Sequence, residues 1–471
     1  MERKKSIDKG NRRKLGVHLT PSDIFIDHIF PYIKDYLYDY VWIDLFCGKG
    51  DLIFPILKFI PEDERISFFK HHIFLSDTQE VMVKNCLEKA KEFSIPQKIA
   101  ENNILCRDNL KNFPDFLKLK QYPLFHITNP PYLYLGYIRK HEEMEPLLQY
   151  FEGENMGYQD LYQIALINDL RNELENLIYL IPTNFLFGAS VSNKFRLDFL
   201  KYYNINKVVI FETQIFDSTG TNILIGFFQK KKNPNLNPSK FKGIKYKNNG
   251  IIKRDYKLIS TYNFRGGFEF DKFLENYKTN KSPKLSYYLK KDIILKNQGN
   301  EEIEVIDTNK FISGRYKTTK LYVNKKLAKK VRENILFVKT IDSGTFQGRA
   351  GLYEIQKDFN VDGIFVSKNT YRTCPIQIFF NPLLKLSDQK ILKDYFNFTL
   401  EYFRERLDSE FLTTYKYSNA EYTRKYLGLS QVRRLIKTFP ILELNNEDEA
   451  LFKKAFLNKN FTQIKNLIKN Y

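Results

Sequence analysis

The chain has 471 residues, of which 43 % are hydrophobic and 15 % aromatic, so it can form two or three domains with substantial cores. Its four cysteines make no CxxC pair and have no histidine partners at zinc-finger spacing, which argues against disulfides and structural metal and for a reducing compartment. The first residues do not form a signal peptide, and no run of about 18 apolar residues could span a membrane. We therefore expect a cytoplasmic protein with no membrane partner and no metal ion.

The net charge of +20 is distributed unevenly. Residues 230–471 hold 48 of the 75 basic and 25 of the 55 acidic side chains, a net charge of +23. That leaves 27 basic and 30 acidic side chains, a net charge of −3, for residues 1–229. A basic region beside a near-neutral one is typical of a polyanion-binding module next to another activity. The lysine-rich composition of an AT-rich genome does not explain this asymmetry.

The first predicted elements along the chain are a helix, a strand, a glycine-rich turn and a second helix. Thr20-Pro21 fits a helix start, with Thr20 as N-cap and Pro21 in the first turn, and helical spacing follows over 22–40. The apolar run 41–46 predicts a strand that ends at the glycine-rich segment 47–51. This segment lacks the lysine–hydroxyl ending of a P-loop and the GxGxxG pattern of dinucleotide sites. It is either a ligand-binding turn or a purely structural one.

Acidic side chains end the next two predicted strands. The strand 72–76 ends at Asp77, a helix over 79–93 follows, and the strand over 104–109 carries Asp108 near its end. Because the carboxyl ends of parallel strands meet at one edge of a sheet, both acids are expected beside the glycine-rich turn. There they can accept hydrogen bonds from ribose hydroxyls and from an adenine amino group. Each acid alone is more often a solvated strand end, whereas together they describe a nucleoside pocket.

A fourth strand, over 123–128, delivers Asn129-Pro130-Pro131-Tyr132 to the same edge. Two prolines cannot continue a helix or a central strand, and Pro131 restricts Pro130 to an extended conformation, so the backbone carbonyls have fixed directions. An amide oxygen, an aimed carbonyl and an aromatic face together suit an exocyclic amino group on a planar ring. The alternative is a strand-ending turn with a buried tyrosine.

Helices and strands continue to about residue 230, where the pattern changes. We expect a helix over 160–173, strands over 177–181, 207–211 and 222–228, and a loop over 215–221 that walls the base pocket. Beyond these, 229–250 is rich in lysine, asparagine and proline and is predicted to be a linker.

The second half has short strand-like pieces and turns, with helical spacing around 383–412 and 449–468. Basic and aromatic residues interleave at 415–417 and 422–426, which suits phosphate contact and base stacking. Surface lysines beside core tyrosines would give the same pattern.

In their order and spacing, Thr20-Pro21, the segment 44–50, Asp77, Asp108 and the segment 129–132 resemble the motifs of the gamma class of DNA adenine methyltransferases of bacterial restriction–modification systems. The resemblance covers residues 14–230. It implies an α/β fold, the Rossmann-like sheet of class I S-adenosylmethionine-dependent methyltransferases with helices on both faces.

The second half matches the family's target-recognition region only in position, size and charge. The resemblance implies a catalytic domain over 1–235 and a basic, mixed α+β DNA target-recognition domain over 236–471.

The resemblance also implies where the cofactor binds. S-adenosylmethionine would lie over the glycine-rich turn, with Asp77 on its ribose hydroxyls, Asp108 on its adenine amino group, and Thr20 and Pro21 at its methionine end. Asn109 stands where the family often has an apolar or aromatic residue, so no role is assigned to it. The implied cofactor-binding residues are Thr20, Pro21, Asp44, Phe46, Cys47, Gly48, Gly50, Asp77, Asp108 and Asn129.

The target adenine would be flipped out of double-stranded DNA. The Asn129 side-chain oxygen and the Pro130 carbonyl would accept its amino hydrogens, and Tyr132 would stack on its ring. The implied catalytic residues are Asn129, Pro130, Pro131 and Tyr132. The methyl group would protect DNA from a cognate restriction endonuclease, and a monomer would suffice because one adenine is modified per binding event.

Other functions fit parts of the sequence. Asn-Pro-Pro-Tyr also occurs in methyltransferases that act on RNA bases or protein glutamine, although the basic second half favours DNA. A non-catalytic DNA-binding protein with a degenerate methyltransferase domain is disfavoured by the intact motifs. A combined restriction enzyme would need a nuclease domain, and the sequence contains no convincing nuclease motif.

Overall fold

The computed structural model describes residues 21–213, 215–216, 222–248, 250–343, 348–370, 373–414 and 424–471. The chain divides into two compact units. The first takes the described residues up to Gly266 together with Thr414, and the second takes the described parts of Gly267–Thr413 and Arg424–Tyr471. Each unit has its own hydrophobic core.

The first unit is built on one nine-stranded sheet. Its strands are β1 (Val41–Asp44), β2 (Ile73–Asp77), β3 (Ile104–Cys106), β4 (Leu124–Thr128), β5 (Asn176–Pro182), β6 (Tyr203–Phe211), β7 (Ile223–Lys230), β8 (Ser239–Lys247) and β9 (Gly250–Leu258). They lie in the order β3-β2-β1-β4-β5-β7-β6-β8-β9. β1 to β5 are parallel, β7 and β9 run antiparallel to their neighbours, and β8 is parallel to β6. The order reverses between β1 and β4, so helices before and after this point cover opposite faces.

The helical segments of the first unit are mostly short. The predicted helix over 22–40 is present over 22–36 as four contiguous segments of different helix type, and Pro31, at the start of the third, has no N–H to donate to the preceding turn. The helix expected after the glycine-rich turn is a 3-10 helix that carries Pro55 at its start. The helical segments are Ser22–Ile24, Phe25–Ile29, Phe30–Ile33, Lys34–Tyr36, Phe54–Phe59, Arg65–His72, Glu80–Glu92, Gln97–Asn103, Asp115–Leu119, Leu135–Ile138, Glu142–Phe151, Gly153–Asn155, Leu161–Arg171, Asn184–Phe187, Ser190–Ser192, Asn193–Leu200 and Ser260–Tyr262.

The predicted linker over 229–250 is wrong, because this segment contains most of β8. Residues of β8 alternate between a buried face, with Phe241 and Gly243, and an exposed face, with Lys240 and Lys242. The high lysine content hid this strand in the sequence, although not all of its lysines face solvent: Lys245 is 1 % exposed, on the same face as Phe241. β8 pairs with β6 and β9, so the first unit extends to Gly266 rather than ending at residue 235.

The new boundary also redistributes the charge. Residues 230–266 hold 11 of the 48 basic side chains of 230–471 and one of its 25 acidic side chains, a net charge of +10. The remaining 37 basic and 24 acidic side chains lie in 267–471 and give it a net charge of +13. The basic excess is therefore shared between residues 230–266 of the first unit and the second unit.

The second unit mixes helices with short sheets, as predicted. Its strands are β10 (Lys284–Tyr287), β11 (Leu289–Lys290), β12 (Glu301–Ile312), β13 (Arg315–Val323), β14 (Leu336–Lys339), β15 (Ile341–Asp342), β16 (Gly351–Glu354), β17 (Gly363–Val366), β18 (Ile376–Asn381), β19 (Thr413–Thr414, which ends in the first unit) and β20 (Lys425–Tyr426). One sheet has the order β10-β18-β14-β16 and another β11-β17-β12-β13. The helices are Phe268–Asn276, Lys291–Lys296, Lys325–Glu333, Ile355–Phe359, Leu386–Leu407, Leu429–Ile436, Asn446–Leu457 and Phe461–Ile468. Among the described residues, no helix is long and apolar enough to cross a bilayer.

Candidate functional site

The turn after β1 is the first element of the site. Asp44 is buried, and its Oδ1 accepts hydrogen bonds from the Thr128 hydroxyl at 2.5 Å and from the Phe46 backbone N–H at 3.0 Å. Burial raises the pKa of Asp44 to about 6, and the hydrogen bond from Thr128 partly opposes this shift. Asp44 therefore ties the start of the turn to the end of β4.

Two glycines shape the rest of the turn. Gly48 and Gly50 have φ values of 52° and 73°, in the left-handed region that favours glycine. The Gly50 N–H donates to the Cys47 carbonyl at 2.7 Å, and a Cβ atom at Gly50 would lie 2.4 Å from the Phe54 ring. The Gly48 N–H donates to Asp77 Oδ2 at 2.9 Å. A direct hydrogen bond thus joins the two strand ends that the sequence predicted to be neighbours.

Asp77 is held firmly at this edge. Its Oδ1 accepts the Gln79 backbone N–H at 2.9 Å, while Oδ2 accepts that of Gly48. Burial raises the pKa of Asp77, and the hydrogen bonds from backbone N–H groups oppose this shift. Each carboxylate oxygen has two lone pairs, so Asp77 can still accept a hydroxyl from a ligand.

A buried polar network fixes the Leu45 backbone. The Leu45 N–H donates to His126 Nε2 at 3.2 Å, and the Leu45 carbonyl accepts Asn109 Nδ2 at 2.6 Å. Because a backbone N–H only donates, we infer that Nε2 is unprotonated and that His126 Nδ1–H donates to Asp169 Oδ2, 2.7 Å away. The Tyr179 hydroxyl donates to the same oxygen at 2.5 Å. This network holds the peptide at which β1 becomes the turn.

The sequence analysis missed this network. The only signal for it was a histidine, His126, inside an otherwise apolar strand. A buried polar side chain requires partners, so His126 could have been singled out. Asn109, to which no role was assigned, also donates to the Ser76 hydroxyl at 2.8 Å. Its Oδ1 is buried and has no partner among the described residues. Asn109 thus joins three strand ends and keeps one acceptor for a ligand.

Asp108 lies just beyond β3. Its Oδ1 accepts the backbone N–H groups of Leu110 and Lys111 at 3.2 and 3.3 Å, and its Oδ2 accepts the Tyr150 hydroxyl at 2.8 Å. Burial and this hydrogen bond to a carboxylate raise the pKa of Tyr150. Tyr150, which the sequence did not single out, therefore lies beside the acid predicted to bind an adenine amino group.

The loop after β4 lies next to the turn, because β1 and β4 are adjacent and parallel. Pro130 is buried, and Asn129 and Pro131 are partly buried. The Tyr132 hydroxyl contacts Asn129 Oδ1 and lies 2.7 Å from the Leu180 carbonyl oxygen. The Tyr132 ring is only 3 % exposed, and burial raises the pKa of Tyr132 well above its usual range. Stacking on an entering base would require the loop to open, so that role stays a prediction.

Two further predicted residues lie in the turn. The Phe46 ring stacks on the His126 ring with 6.3 Å between centroids. The buried Cys47 sulfur lies 3.8 Å from that of Cys86, and both thiols are free.

Not every predicted residue can be placed. Pro21 is exposed, and its carbonyl accepts the Ile24 N–H at 3.2 Å. Thr20 lies outside the described residues, as do 217–221 of the predicted pocket wall and the segment 415–423. Within the described ranges no cluster of His, Cys, Asp or Glu could hold a metal ion. The predicted residues at the carboxyl edge are Asp44, Phe46, Cys47, Gly48, Gly50, Asp77, Asp108, Asn129, Pro130, Pro131 and Tyr132.

Solved structures are similar to this chain at low sequence identity. The type IIL restriction–modification enzyme MmeI in complex with DNA gives a TM-score of 0.55 at 13 % identity, over 95 % of this chain and 71 % of MmeI. A modification subunit of a proposed type I restriction enzyme from Vibrio vulnificus YJ016 gives 0.36 at 13 % identity, over 74 % of this chain and 61 % of that one. A Listeria monocytogenes protein proposed to be a class I S-adenosylmethionine-dependent methyltransferase gives 0.33 at 17 % identity, over 48 % and 65 %.

The chain spans less than two thirds of several similar proteins: 61 % of the Vibrio subunit, 28 % of DrdV, which was solved in complex with DNA, and 20 % of the type ISP restriction–modification enzyme LlaBIII. No protein-family model matches the chain, and no curated protein does. At such identities the likeness concerns the fold. The chain has an α/β fold, shared with MmeI, whose first unit is built on a mixed nine-stranded sheet.

Proposed function

We propose that this chain transfers the methyl group of S-adenosylmethionine to the N6 amino group of an adenine flipped out of double-stranded DNA. The observation that carries the proposal is the position of Asn129-Pro130-Pro131-Tyr132. This loop follows β4, directly beside β1 and its glycine-rich turn. A receptor for an amino group thus adjoins the turn proposed to bind the cofactor.

The amide and the carbonyl of this loop suit the chemistry. An adenine amino nitrogen is a poor nucleophile because its lone pair is delocalised into the ring. Asn129 Oδ1 and the Pro130 carbonyl, as acceptors for its two hydrogens, would favour a pyramidal nitrogen and stabilise the positive charge that develops on it. A bound S-adenosylmethionine would supply an electrophilic methyl group. The chain's own contribution is to orient the amine and exclude water.

The Tyr132 hydroxyl bears on how Asn129 is oriented. It contacts two acceptors, Asn129 Oδ1 and the Leu180 carbonyl, but has one proton to donate. If Tyr132 donates to Leu180, a half-turn of the amide lets Asn129 Nδ2 donate to the Tyr132 oxygen. Asn129 Oδ1 then points away from Tyr132 and can accept from the target amine. We propose that Tyr132 positions Asn129 in this way.

The side chains at the edge fit a nucleoside cofactor. Asp77 and Asp108 supply carboxylate oxygens for ribose hydroxyls and an adenine amino group, and Asn109 Oδ1 is a buried acceptor with no described partner. The left-handed Gly48 and Gly50 let the backbone approach a ligand closely. We assign these five residues to S-adenosylmethionine.

DNA is the substrate that the charge distribution favours. Residues 267–471 carry a net charge of +13 and 230–266 a net charge of +10. MmeI, which has the same fold at a TM-score of 0.55, was solved with DNA. We propose that the protein acts as a monomer in a restriction–modification system, where methylation would protect DNA from a cognate endonuclease.

Transfer of labelled methyl from S-adenosylmethionine to unmethylated genomic DNA, RNA and protein tests the proposal. We expect label in DNA only, lost in Asn129→Ala while calorimetry shows that this variant still binds the cofactor. Label in RNA or protein but not in DNA would replace the proposed substrate. Absence of cofactor binding by the wild type would favour a non-catalytic DNA-binding protein.

A further inference from the structure

The longest hairpin of the second unit ends in an exposed tip. β12 and β13 pair antiparallel from Glu301↔Val323 to Ile312↔Arg315. Ser313 and Gly314 connect them with φ values of 49° and 80°, the positive pair that a tight two-residue turn of type I′ requires. The hairpin therefore has a defined, narrow end.

Two adjacent apolar side chains sit at this end in contact with solvent. Phe311 is 58 % exposed and Ile312 is 65 % exposed. Single exposed apolar residues are common, but these two place apolar surface on both faces of the hairpin end, since consecutive side chains of a strand point to opposite faces. The Phe311 ring lies 4.8 Å from that of Tyr316, so the cross-strand partner supports one of its faces.

The part of the hairpin below the tip is anchored. The strand register shifts between Asp307 and Phe311, which places Thr308, Asn309 and Lys310 in a bulge, and bulges re-aim the strand that follows. Asn309 Oδ1 accepts the Lys368 backbone N–H at 2.9 Å, and its Nδ2 donates to the Asn369 carbonyl at 3.2 Å.

The opposite strand is anchored as well. The Tyr316 hydroxyl donates to the Cys374 carbonyl at 2.6 Å. With both strands held by side-chain hydrogen bonds, the tip is presented in a fixed direction, which lowers the entropic cost of binding.

Charge near the tip of the hairpin has one sign. Between 308 and 320 there are four cations, Lys310, Arg315, Lys317 and Lys320, and no Asp or Glu. Lys310 and Lys320 pair with Asp307 and Glu302, at 3.4 and 2.7 Å. Arg315 and Lys317 are exposed and take part in none of the ion pairs among the described residues. They leave two cations beside the apolar tip for an anionic partner.

We propose that the β12–β13 tip enters a groove of double-stranded DNA, with Arg315 and Lys317 on phosphates and Phe311 and Ile312 on the bases. A two-stranded ribbon fits the major groove, and apolar side chains with flanking cations are used against base steps in the minor groove. The proposal rests on the proposed function for the choice of DNA. It adds to that function the element that contacts the bases.

An anionic membrane surface also attracts an apolar tip with flanking cations. Two apolar side chains bury too little area for stable membrane attachment, since even a single myristoyl chain gives only marginal, reversible binding. DNA is therefore the occupant that the hairpin favours.

The test compares two double variants of the full-length protein by fluorescence anisotropy with labelled duplex DNA over a series of salt concentrations. Arg315→Gln with Lys317→Gln should lower the slope of log affinity against log salt by roughly 0.9 for each phosphate that is no longer neutralised. Phe311→Ser with Ile312→Ser should weaken binding roughly tenfold or more and leave that slope unchanged, because stacking on bases releases no counterions. The charged and the apolar parts of the tip are thus measured separately.

Tyr322→Ser is the matched control, since Tyr322 lies on β13 away from the tip and is 57 % exposed. It should bind DNA like the wild type, and urea unfolding should show all variants folded. Unchanged DNA binding in both double variants would overturn the hairpin proposal while leaving methyl transfer intact. Failure of the wild type to bind DNA would overturn both proposals, and tip-dependent binding to anionic lipid vesicles but not to DNA would assign the hairpin to membranes.

Discussion

The turn after β1 and the β12–β13 tip place their functional side chains in opposite settings. At the turn, Asp44, Asn109 and His126 are buried and direct their hydrogen bonds to the protein's own backbone or strand ends. At the tip, Phe311 and Arg315 are exposed to solvent. The first group acts by holding a shape and the second by contacting a partner. Substitutions at the turn should therefore change stability and cofactor affinity, and those at the tip only DNA binding.

His126→Phe should have the largest effect. It removes the acceptor of the buried Leu45 N–H and one of the two donors to Asp169, and each buried polar group left short of a partner typically costs about 1–3 kcal/mol of unfolding free energy. Urea unfolding measures this loss, and calorimetry should show weaker cofactor binding. The control is Tyr179→Phe, which leaves the hydrogen bond between His126 and Asp169 in place and should lower the unfolding free energy by about 1 kcal/mol. A His126→Phe protein as stable as the control would contradict the network.

Asn129→Ala should lower turnover without changing cofactor affinity or stability, although Asn129 lies at the same edge of the sheet as the turn. Removal of one preorganised polar contact to the reacting group typically lowers turnover by about 10²–10³-fold. Cofactor affinity and the unfolding free energy should stay close to those of the wild type, since the turn is untouched. Single-turnover methyl transfer gives the first quantity. Near wild-type turnover would mean that Asn129 does not receive the amine.

The pH dependence of stability isolates Asp44. Its pKa is raised from 3.8 to about 6 in the folded protein, so the folded state holds this proton more tightly than the unfolded state does. Stability from this group therefore falls by about 3 kcal/mol as the pH rises from about 4 to about 6, and returns as the pH falls. Asp44→Asn lacks the titration. Urea unfolding of both proteins across this range should show that the unfolding free energy of the wild type rises relative to that of the variant as the pH falls. A difference in unfolding free energy that does not change with pH would refute the assignment.

Tyr132→Phe should have the smallest effect, and it tests whether the Tyr132 hydroxyl positions Asn129. The variant keeps the aromatic ring but loses the hydroxyl that contacts Asn129 and the Leu180 carbonyl. If Tyr132 positions Asn129, turnover should fall about tenfold, in line with one neutral hydrogen bond. If the ring acts by stacking alone, turnover should be unchanged. Steady-state kinetics of Tyr132→Phe and Tyr132→Ala distinguish the two.

Local signals in the sequence were enough to predict the sheet up to β7 and most of the carboxyl edge. Gly48 and Gly50, the acids at strand ends and the double proline each have a backbone or chemical reason that does not depend on distant residues. Strands such as β5 were equally clear, because apolar runs between turn residues leave few alternatives.

The features that escaped prediction depend on contacts distant in sequence. The partners of His126 are Leu45 and Asp169, 81 and 43 residues away. β8 was taken for a linker because of its lysines, of which Lys240 faces solvent whereas Lys245 is buried 3.7 Å from Glu212. The exposure of Phe311 follows from the register of β12 with β13, which no local pattern specifies.

The most direct test of the proposed methyl transfer is nucleoside mass spectrometry of DNA from a host that lacks adenine methylation and produces either the wild-type protein or Asn129→Ala. We predict N6-methyladenine in DNA from cells with the wild type and none above background with Asn129→Ala. No N6-methyladenine with the folded wild type, or equal amounts with both proteins, would contradict the proposed function.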